Sequence, residues 1–218
     1  MLDVQCVIFD CDGVLVDTET TMITVLLEMV AEFGVKINVD EGVSLFSGKK
    51  IEETIDVLKC SAQSPFPANF EQQFRLKAYE RFKIEVKPID GVERLIQLLK
   101  IPFCVASNGP REKVAFNLKL TGLWPYFNDD RIFSAYEVNT WKPDPGIFLH
   151  AARMMGFEPA QCVVIEDSLA GVEAAVNGGF QVLALTNGYN VGELSSAGVK
   201  VFGHMEELYP LLPMSKSN

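Results

Sequence analysis

Histidine is almost missing from this 218-residue chain, which has only His150 and His204. The two have no metal-ligand spacing and read as structural residues, so zinc chemistry is not expected. Basic runs are missing as well. Nineteen Lys and Arg face 29 Asp and Glu, for a net charge of −10 and a pI near 4.7, which leaves no electrostatic footprint for a polyanion. Nucleic acid is therefore not an expected partner. No apolar stretch approaches the roughly 20 residues of a membrane span, and no charged segment precedes an apolar one at the N-terminus. The expectation is a soluble, cytoplasmic protein with no membrane partner. The cysteines are five, an odd number without any CxxC spacing, and they read as reduced core residues rather than a disulfide framework. Among them, Cys11 sits between two aspartates that disfavour a thiolate, so it reads as a small filler with a useful backbone N–H. Internal repeats are absent, and low complexity is confined to the tail 215–218.

What is present begins with Val7-Ile8-Phe9-Asp10-Cys11-Asp12-Gly13-Val14. Residues 4–9 are apolar except for Gln5, the pattern of a strand buried on both faces. It runs into two carboxylates one residue apart. Burying acids that closely is unfavourable unless a cation, a proton or hydrogen-bond donors compensate them. Taken alone the segment is equally an Asp-rich turn with Gly13 supplying the reversal. Its chemical reading is a carboxylate nucleophile beside a proton-transferring acid, with oxygen ligands for Mg2+.

Downstream, Met22, Val25, Leu26, Met29, Val30 and Phe33 recur at helical spacing, and Gly34 stops the pattern. Helical stretches around Ile51, Ile55 and Leu58 and over 70–82 follow, so residues 17–86 read as all-helical. From Asp90-Gly91 onward helices alternate with short apolar runs at 103–106, 162–165, 181–185 and 199–202. Alternation of this kind implies a parallel sheet covered on both faces. The expected fold is α/β, a doubly wound Rossmann-like core from 1–16 and 87–218 with a helical domain, 17–86, inserted after the first strand. With 48% hydrophobic residues the chain has material for such a core.

Open α/β sheets bind ligands at the carboxyl ends of their strands. Those ends carry Asp10 and Asp12, then Ser107-Asn108-Gly109, then Glu166-Asp167-Ser168. A hydroxyl, an amide and glycine-freed N–H groups suit phosphate oxygens, and the acids add oxygen ligands. Lys142, in Trp141-Lys142-Pro143-Asp144-Pro145, is the candidate cation. A loop lysine is ordinarily solvated, but two prolines stiffen this one's surroundings.

These four segments, in this order, resemble the motifs of the haloacid dehalogenase-like hydrolase superfamily, and the helical insertion resembles the cap of its β-phosphoglucomutase-like subgroup. The resemblance covers essentially the whole chain. It implies a phosphatase in which Asp10 becomes an aspartyl-phosphate and Asp12 protonates the leaving alcohol, then activates water. It implies Mg2+ on the Asp10 side chain, the Asp12 backbone carbonyl and the Asp167 side chain, with Glu166 acting through water. Phosphoryl oxygens would be held by Ser107, Asn108 and Lys142. The implied partner is a small phosphorylated metabolite, a sugar phosphate such as 6-phosphogluconate, with Gly48, Lys49 and Lys50 of the cap as candidate substrate contacts.

Competing functions stay within reach of the same residues. Mutases of the subgroup carry an arginine where this chain has Ile51, which argues against a phosphomutase. A phosphonoacetaldehyde-hydrolase-like enzyme would need Lys49 or Lys50 as a Schiff base. Dehalogenases lack the second aspartate, here Asp12. A non-catalytic metabolite-binding relative would keep the fold alone. The sequence sets no oligomeric state.

Overall fold

The computed structural model describes residues 2–46, 49, 51–188 and 190–215. The chain divides into two compact units, Met1–Val16 with Lys87–Asn218, and Asp17–Val86. In the larger unit β1 (Cys6–Phe9) lies between β4 (Phe103–Ser107) and β6 (Cys162–Glu166), with β5 (Ile132–Ser134), β7 (Gln181–Leu185) and β8 (Lys200–Phe202) outside them. The sheet order is β5-β4-β1-β6-β7-β8, and every pair is parallel. Two-residue strands β2 (Val16–Asp17) and β3 (Lys87–Pro88) mark where the chain leaves this unit and returns.

All four β1 residues are fully buried, which is why the segment reads as an unbroken apolar run. Side chains alternate across it. Cys6 and Ile8 join a cluster with Ile147, Phe148, Ala151 and Ala152 of α9 (Gly146–Met155) and Val172, Ala174 and Ala175 of α10 (Leu169–Asn177). On the opposite face Phe9 meets Phe103 and Phe127 edge-on, at centroid distances of 6.3 and 6.2 Å. Phe127 comes from α7 (Trp124–Phe127), and that layer also holds α5 (Val92–Leu98) and α6 (Arg111–Leu120). Among the described residues the unit also holds the short α-helices α8 (Ala135–Val138) and α11 (Val191–Ser196) and 3-10 turns at Asp129–Arg131, Pro159–Gln161 and Met205–Leu208.

The smaller unit packs α1 (Glu19–Ala31), α2 (Val39–Phe46), α3 (Ile51–Cys60) and α4 (Phe70–Glu85) around Leu26, Met29, Val30, Leu58 and Phe74. Among the described residues no helix is long and apolar enough to cross a membrane.

Several element bounds and one burial reading differ from the sequence expectations. The first strand begins at Cys6 rather than at residue 4, because its ladder starts only where Cys6 meets Cys162. Helix α1 ends at Ala31, before Phe33: the turn tightens through Glu32 N–H to Met29 O, and Gly34 then takes φ +84. Helix α6 and strand β5 fall outside the expected elements, and α2 is a separate helix within the segment 17–86 read as all-helical. Cys60 is exposed, whereas Cys6, Cys11, Cys104 and Cys162 are buried and all five are free thiols. Cys60 lies near the end of α3, on the side away from Leu58 and Ile55, where a cysteine spacing argument has no information about helix face.

Candidate active site

Asp10 caps the central strand. Its N–H donates to Ile165 O at 2.9 Å, and its side chain is almost fully buried. The chain then reverses: Leu15 and Val16 N–H groups both donate to Cys11 O, and Gly13 N–H donates to Val16 O at 2.8 Å. Gly13 takes φ +86, open to glycine and strained for other residues. This turn fixes the backbone of Asp12.

Strand β6 delivers Glu166 and, one residue on, Asp167. Glu166 is buried and fully engaged. Its Oε2 accepts from Asp167 N, Ser168 N and Ser168 Oγ, each at 2.9 Å, and its Oε1 lies 2.5 Å from Lys142 Nζ. Lys142 also pairs with Asp10 Oδ1 and sits 4.7 Å above the Phe148 ring, so its ammonium is enclosed by two carboxylates and an aromatic floor. Burial pulls that ammonium's pKa down, but Asp10 and Glu166 outweigh it and the group is held charged. Burial pushes the Asp10 carboxyl up to about 7, Lys142 pulls the other way, and Glu166 adds repulsion. Around Cys11, burial and then Asp12 and Asp10 push the thiol well above its ordinary range, consistent with an inert filler.

Ser107 ends β4 with a buried side chain, its Oγ accepting from Gly109 N at 3.0 Å. Asn108 reaches sideways. Its Oδ1 accepts from Lys142 N at 3.0 Å, tying the second strand-end loop to the lysine loop. Ser134, at the end of β5, donates its hydroxyl to Gly109 O at 2.7 Å and fixes the same loop from the other side. The expected site residues Asp10, Asp12, Ser107, Asn108, Lys142, Glu166 and Asp167 all lie at the carboxyl edge of one sheet, the location that parallel topology favours. Of the candidate substrate contacts in the smaller unit, Lys49 is exposed, while Gly48 and Lys50 lie outside the described residues.

A hard cation fits this donor set. One carboxylate oxygen from each of Asp10, Glu166 and Asp167 lies within 4.8 Å of the others, an all-oxygen arrangement suited to Mg2+ or Ca2+. The surrounding backbone is cut away for it: a Cβ on Gly13 would stand 1.9 Å from Asp167 Oδ2, and one on Gly171 would stand 1.9 Å from Glu166 Oε1. Three of the carboxylates at this edge, those of Asp10, Asp12 and Glu166, are ion-paired with the ammonium groups of Lys142 and Lys113.

The profile of the haloacid dehalogenase-like hydrolases matches residues 4–179. The chain belongs to that family. Among its relatives is the 6-phosphogluconate phosphatase of Escherichia coli, 30% identical over 95% of this chain and 94% of the relative. A solved haloacid dehalogenase-like protein from Agrobacterium tumefaciens is 31% identical, with a TM-score of 0.82 over 95% of this chain and 97% of that one. A family hydrolase from Deinococcus radiodurans, crystallised with phosphate and sodium, is 26% identical with a TM-score of 0.84, covering 96% and 95% of the two chains. The fold is accordingly the α/β, Rossmann-like fold of haloacid dehalogenase-like hydrolases.

In this family member two residues outside the expected set reach the Asp12 carboxylate. Lys113 Nζ lies 2.8 Å from Asp12 Oδ2, and Asn117 Nδ2 lies 3.5 Å from Oδ1. Burial pulls the Lys113 ammonium down and Asp12 more than offsets this, leaving it above the ordinary lysine range. The available signal was a pair at i and i+4 in a helix opened by Pro110, directly after Ser107-Asn108-Gly109. Asn108's hold on the Lys142 backbone had no sequence signal.

Gly13 provides a direct check on the acid cluster. Gly13→Ala adds both a strained positive φ and a clash with Asp167, so it should destabilise the protein by about 2–4 kcal/mol. Calorimetry should read this as a melting temperature lower by about 5–15 °C. An unchanged melting temperature would mean that Asp167 is free to leave the position seen here.

Proposed function

We propose that this family member is a Mg2+-dependent phosphatase that hydrolyses a small phosphate monoester, in particular a sugar phosphate, through an aspartyl-phosphate on Asp10. The observation that carries the reading is the arrangement around Asp10: a buried carboxylate at the end of the central strand, pressed by Lys142 and converging with Glu166 and Asp167. A carboxylate nucleophile needs its charge held at one point and its target's charge neutralised. Lys142 serves both ends of that requirement. Its ammonium fixes the attacking group before substrate arrives and can move onto phosphoryl oxygens as charge develops on them.

Asp10, Asp167 and the Asp12 backbone carbonyl would hold Mg2+, with Glu166 supporting through a water because its own oxygens are committed to Lys142, Ser168 and the Asp167 N–H. When bound, the cation supplies positive charge beside the transferring group and draws the Asp10 carboxyl toward its ionised form. In the first half-reaction a carboxylate oxygen of Asp10 bonds to phosphorus as the ester P–O bond breaks, and Asp12 gives its proton to the departing alkoxide. In the second, water attacks the phosphorus of the aspartyl-phosphate, Asp12 takes the water's proton, and the Asp10–phosphorus bond breaks. Alcohol and inorganic phosphate leave, and both aspartates return to their starting forms. Ser107 and the loop N–H groups after β4 support the phosphoryl oxygens, while Asn108 sets the lysine loop.

Sugar phosphates are favoured by the likeness to the Escherichia coli 6-phosphogluconate phosphatase. The mutase alternative is disfavoured by Ile51, which packs against the apolar core of the smaller unit where a mutase would present arginine. The helical unit would act as a cap over the site, with Gly48, Lys49 and Lys50 as its contacts to substrate.

A panel of phosphorylated sugars, sugar acids and simple alkyl phosphates, assayed for phosphate release with Mg2+ and again with EDTA, tests the reading. Release from at least one monoester is expected with Mg2+, with a loss of roughly 10²-fold or more in EDTA. Absence of hydrolysis across the panel would overturn the phosphatase assignment, and equal rates in EDTA would overturn its metal dependence.

A further inference from the structure

We infer that Lys113, supported by Asn117 one helical turn on, is a positioning residue that aims the Asp12 carboxylate at the reacting oxygen; the inference rests on the phosphatase reading above. The backbone of Asp12 is already immobilised by the Cys11–Val16 turn, so the direction of its carboxylate is left to the side-chain torsions and to whatever holds the oxygens. Two groups hold them. Lys113 Nζ takes Oδ2 at 2.8 Å, and Asn117 Nδ2 approaches Oδ1 at 3.5 Å. A single donor would leave the carboxylate free to rotate about its bond to Cβ, whereas two donors on opposite oxygens define its plane.

Both donors come from one face of α6, at i and i+4, so their spacing is set by the helix rather than by two independent loops. Asn117 is almost fully buried. It belongs to the fixed wall of the site. The aliphatic stem of Lys113 passes Gly109, whose missing side chain leaves Lys113 Cδ 3.6 Å from where a Cβ would stand. The ammonium itself is partly solvated, with the Lys113 side chain 41% exposed. A pair this exposed contributes little to folding. Its value lies in orientation, because a catalytic acid or base misplaced by about 1 Å can lose roughly 10²-fold in rate.

The role is separable from a structural one because the two half-reactions make different demands on Asp12. A p-nitrophenolate leaving group departs without a proton, so only the hydrolysis of the aspartyl-phosphate then needs a well-aimed Asp12. An alkoxide leaving group needs it in both steps. Lys113→Met is therefore expected to lower kcat for p-nitrophenyl phosphate by about 10²-fold with KM falling in parallel, so that kcat/KM stays within about threefold of the parent. Rapid mixing should show a burst of p-nitrophenolate near one equivalent per enzyme, and acid quenching should trap phosphorylated protein. For an alkyl phosphate, kcat/KM itself should fall by about 10²-fold. Lys113→Arg keeps a donor on Asp12 and should recover most of the lost rate.

The melting temperature of Lys113→Met should stay within about 3 °C of the parent. Unchanged kinetics, an equal loss of kcat/KM on both substrates, or no rescue by arginine would each overturn the positioning role. Asp10→Asn and Asp12→Asn are run alongside. If both retain turnover, the phosphatase mechanism itself has failed; if both are inactive while Lys113→Met matches the parent, only the role of Lys113 has.

Discussion

Asp10→Asn is expected to lower phosphate-monoester turnover by at least about 10⁴-fold, the scale on which enzymes lose rate when their nucleophile is removed. The folded structure should survive. Asparagine has the same shape, and Glu166 remains as the partner of Lys142 at 2.5 Å. Stability should respond to pH in a way that reports on Asp10 directly. Its carboxyl titrates at about 7, above the 3.8 of the free group, so the folded state binds that proton more tightly than the unfolded chain does. Stability from this group is therefore greatest below about pH 4 and declines as the pH rises toward 7, when Mg2+ is withheld.

Asp10→Asn should remove that slope. It should also remove most of the stabilisation by Mg2+, which for a ligand at 100 times its Kd is about 2.7 kcal/mol, or roughly 5–10 °C in melting temperature for a chain of this size. For the parent the Mg2+ increment should be larger at pH 8 than at pH 5, because bound metal must compete with the Asp10 proton. Melting curves with EDTA and with Mg2+ at both values check this. Retained turnover in the variant would place the nucleophile elsewhere.

Lys142→Met is expected to impair both folding and catalysis. It leaves the Asp10 and Glu166 carboxylates, both buried, without the ammonium enclosed between them, and removing one partner of a buried ion pair is destabilising by about 3–5 kcal/mol. In EDTA the melting temperature should fall by about 10–15 °C. Mg2+ should restore part of that fall by supplying a substitute charge. The double variant Lys142→Met/Glu166→Gln removes one of the uncompensated acids and should recover most of the stability. Its turnover should stay lower by roughly 10²–10³-fold, because the transferring phosphoryl group still lacks its cation. Recovery of activity together with stability would reduce Lys142 to a structural counter-ion. Lys142→Arg should not substitute, since the planar guanidinium does not fit the space between two carboxylates and the Phe148 ring.

The residues most legible in the sequence are those whose role depends on chain neighbours. Asp10 and Asp12 are separated by one residue, sit at the end of a strand whose four residues are all buried, and are followed by the glycine their turn requires. Ser107, Asn108, Glu166 and Asp167 were legible because a parallel sheet sends every strand end to the same edge. Less visible was the traffic between loops. Beside the phosphate contact expected of Asn108, its side-chain oxygen accepts from the Lys142 backbone, a contact between residues 34 positions apart. Lys113 and Asn117 reach Asp12 across 101 and 105 positions, from a helix whose buried positions are only Val114, Asn117 and Leu118.

The sequence by itself therefore determined the α/β alternation, the acid pair and the residue types at each strand end, because hydrophobic period and turn chemistry are local properties of the chain. Only the tertiary structure decided which charge answers which. It gave Lys142 to Asp10 and Glu166, Lys113 to Asp12, and the two oxygens of Glu166 to different partners. Those assignments depend on distances between segments far apart in the chain, and these distances are set by how strands and helices pack rather than by any pattern within a segment.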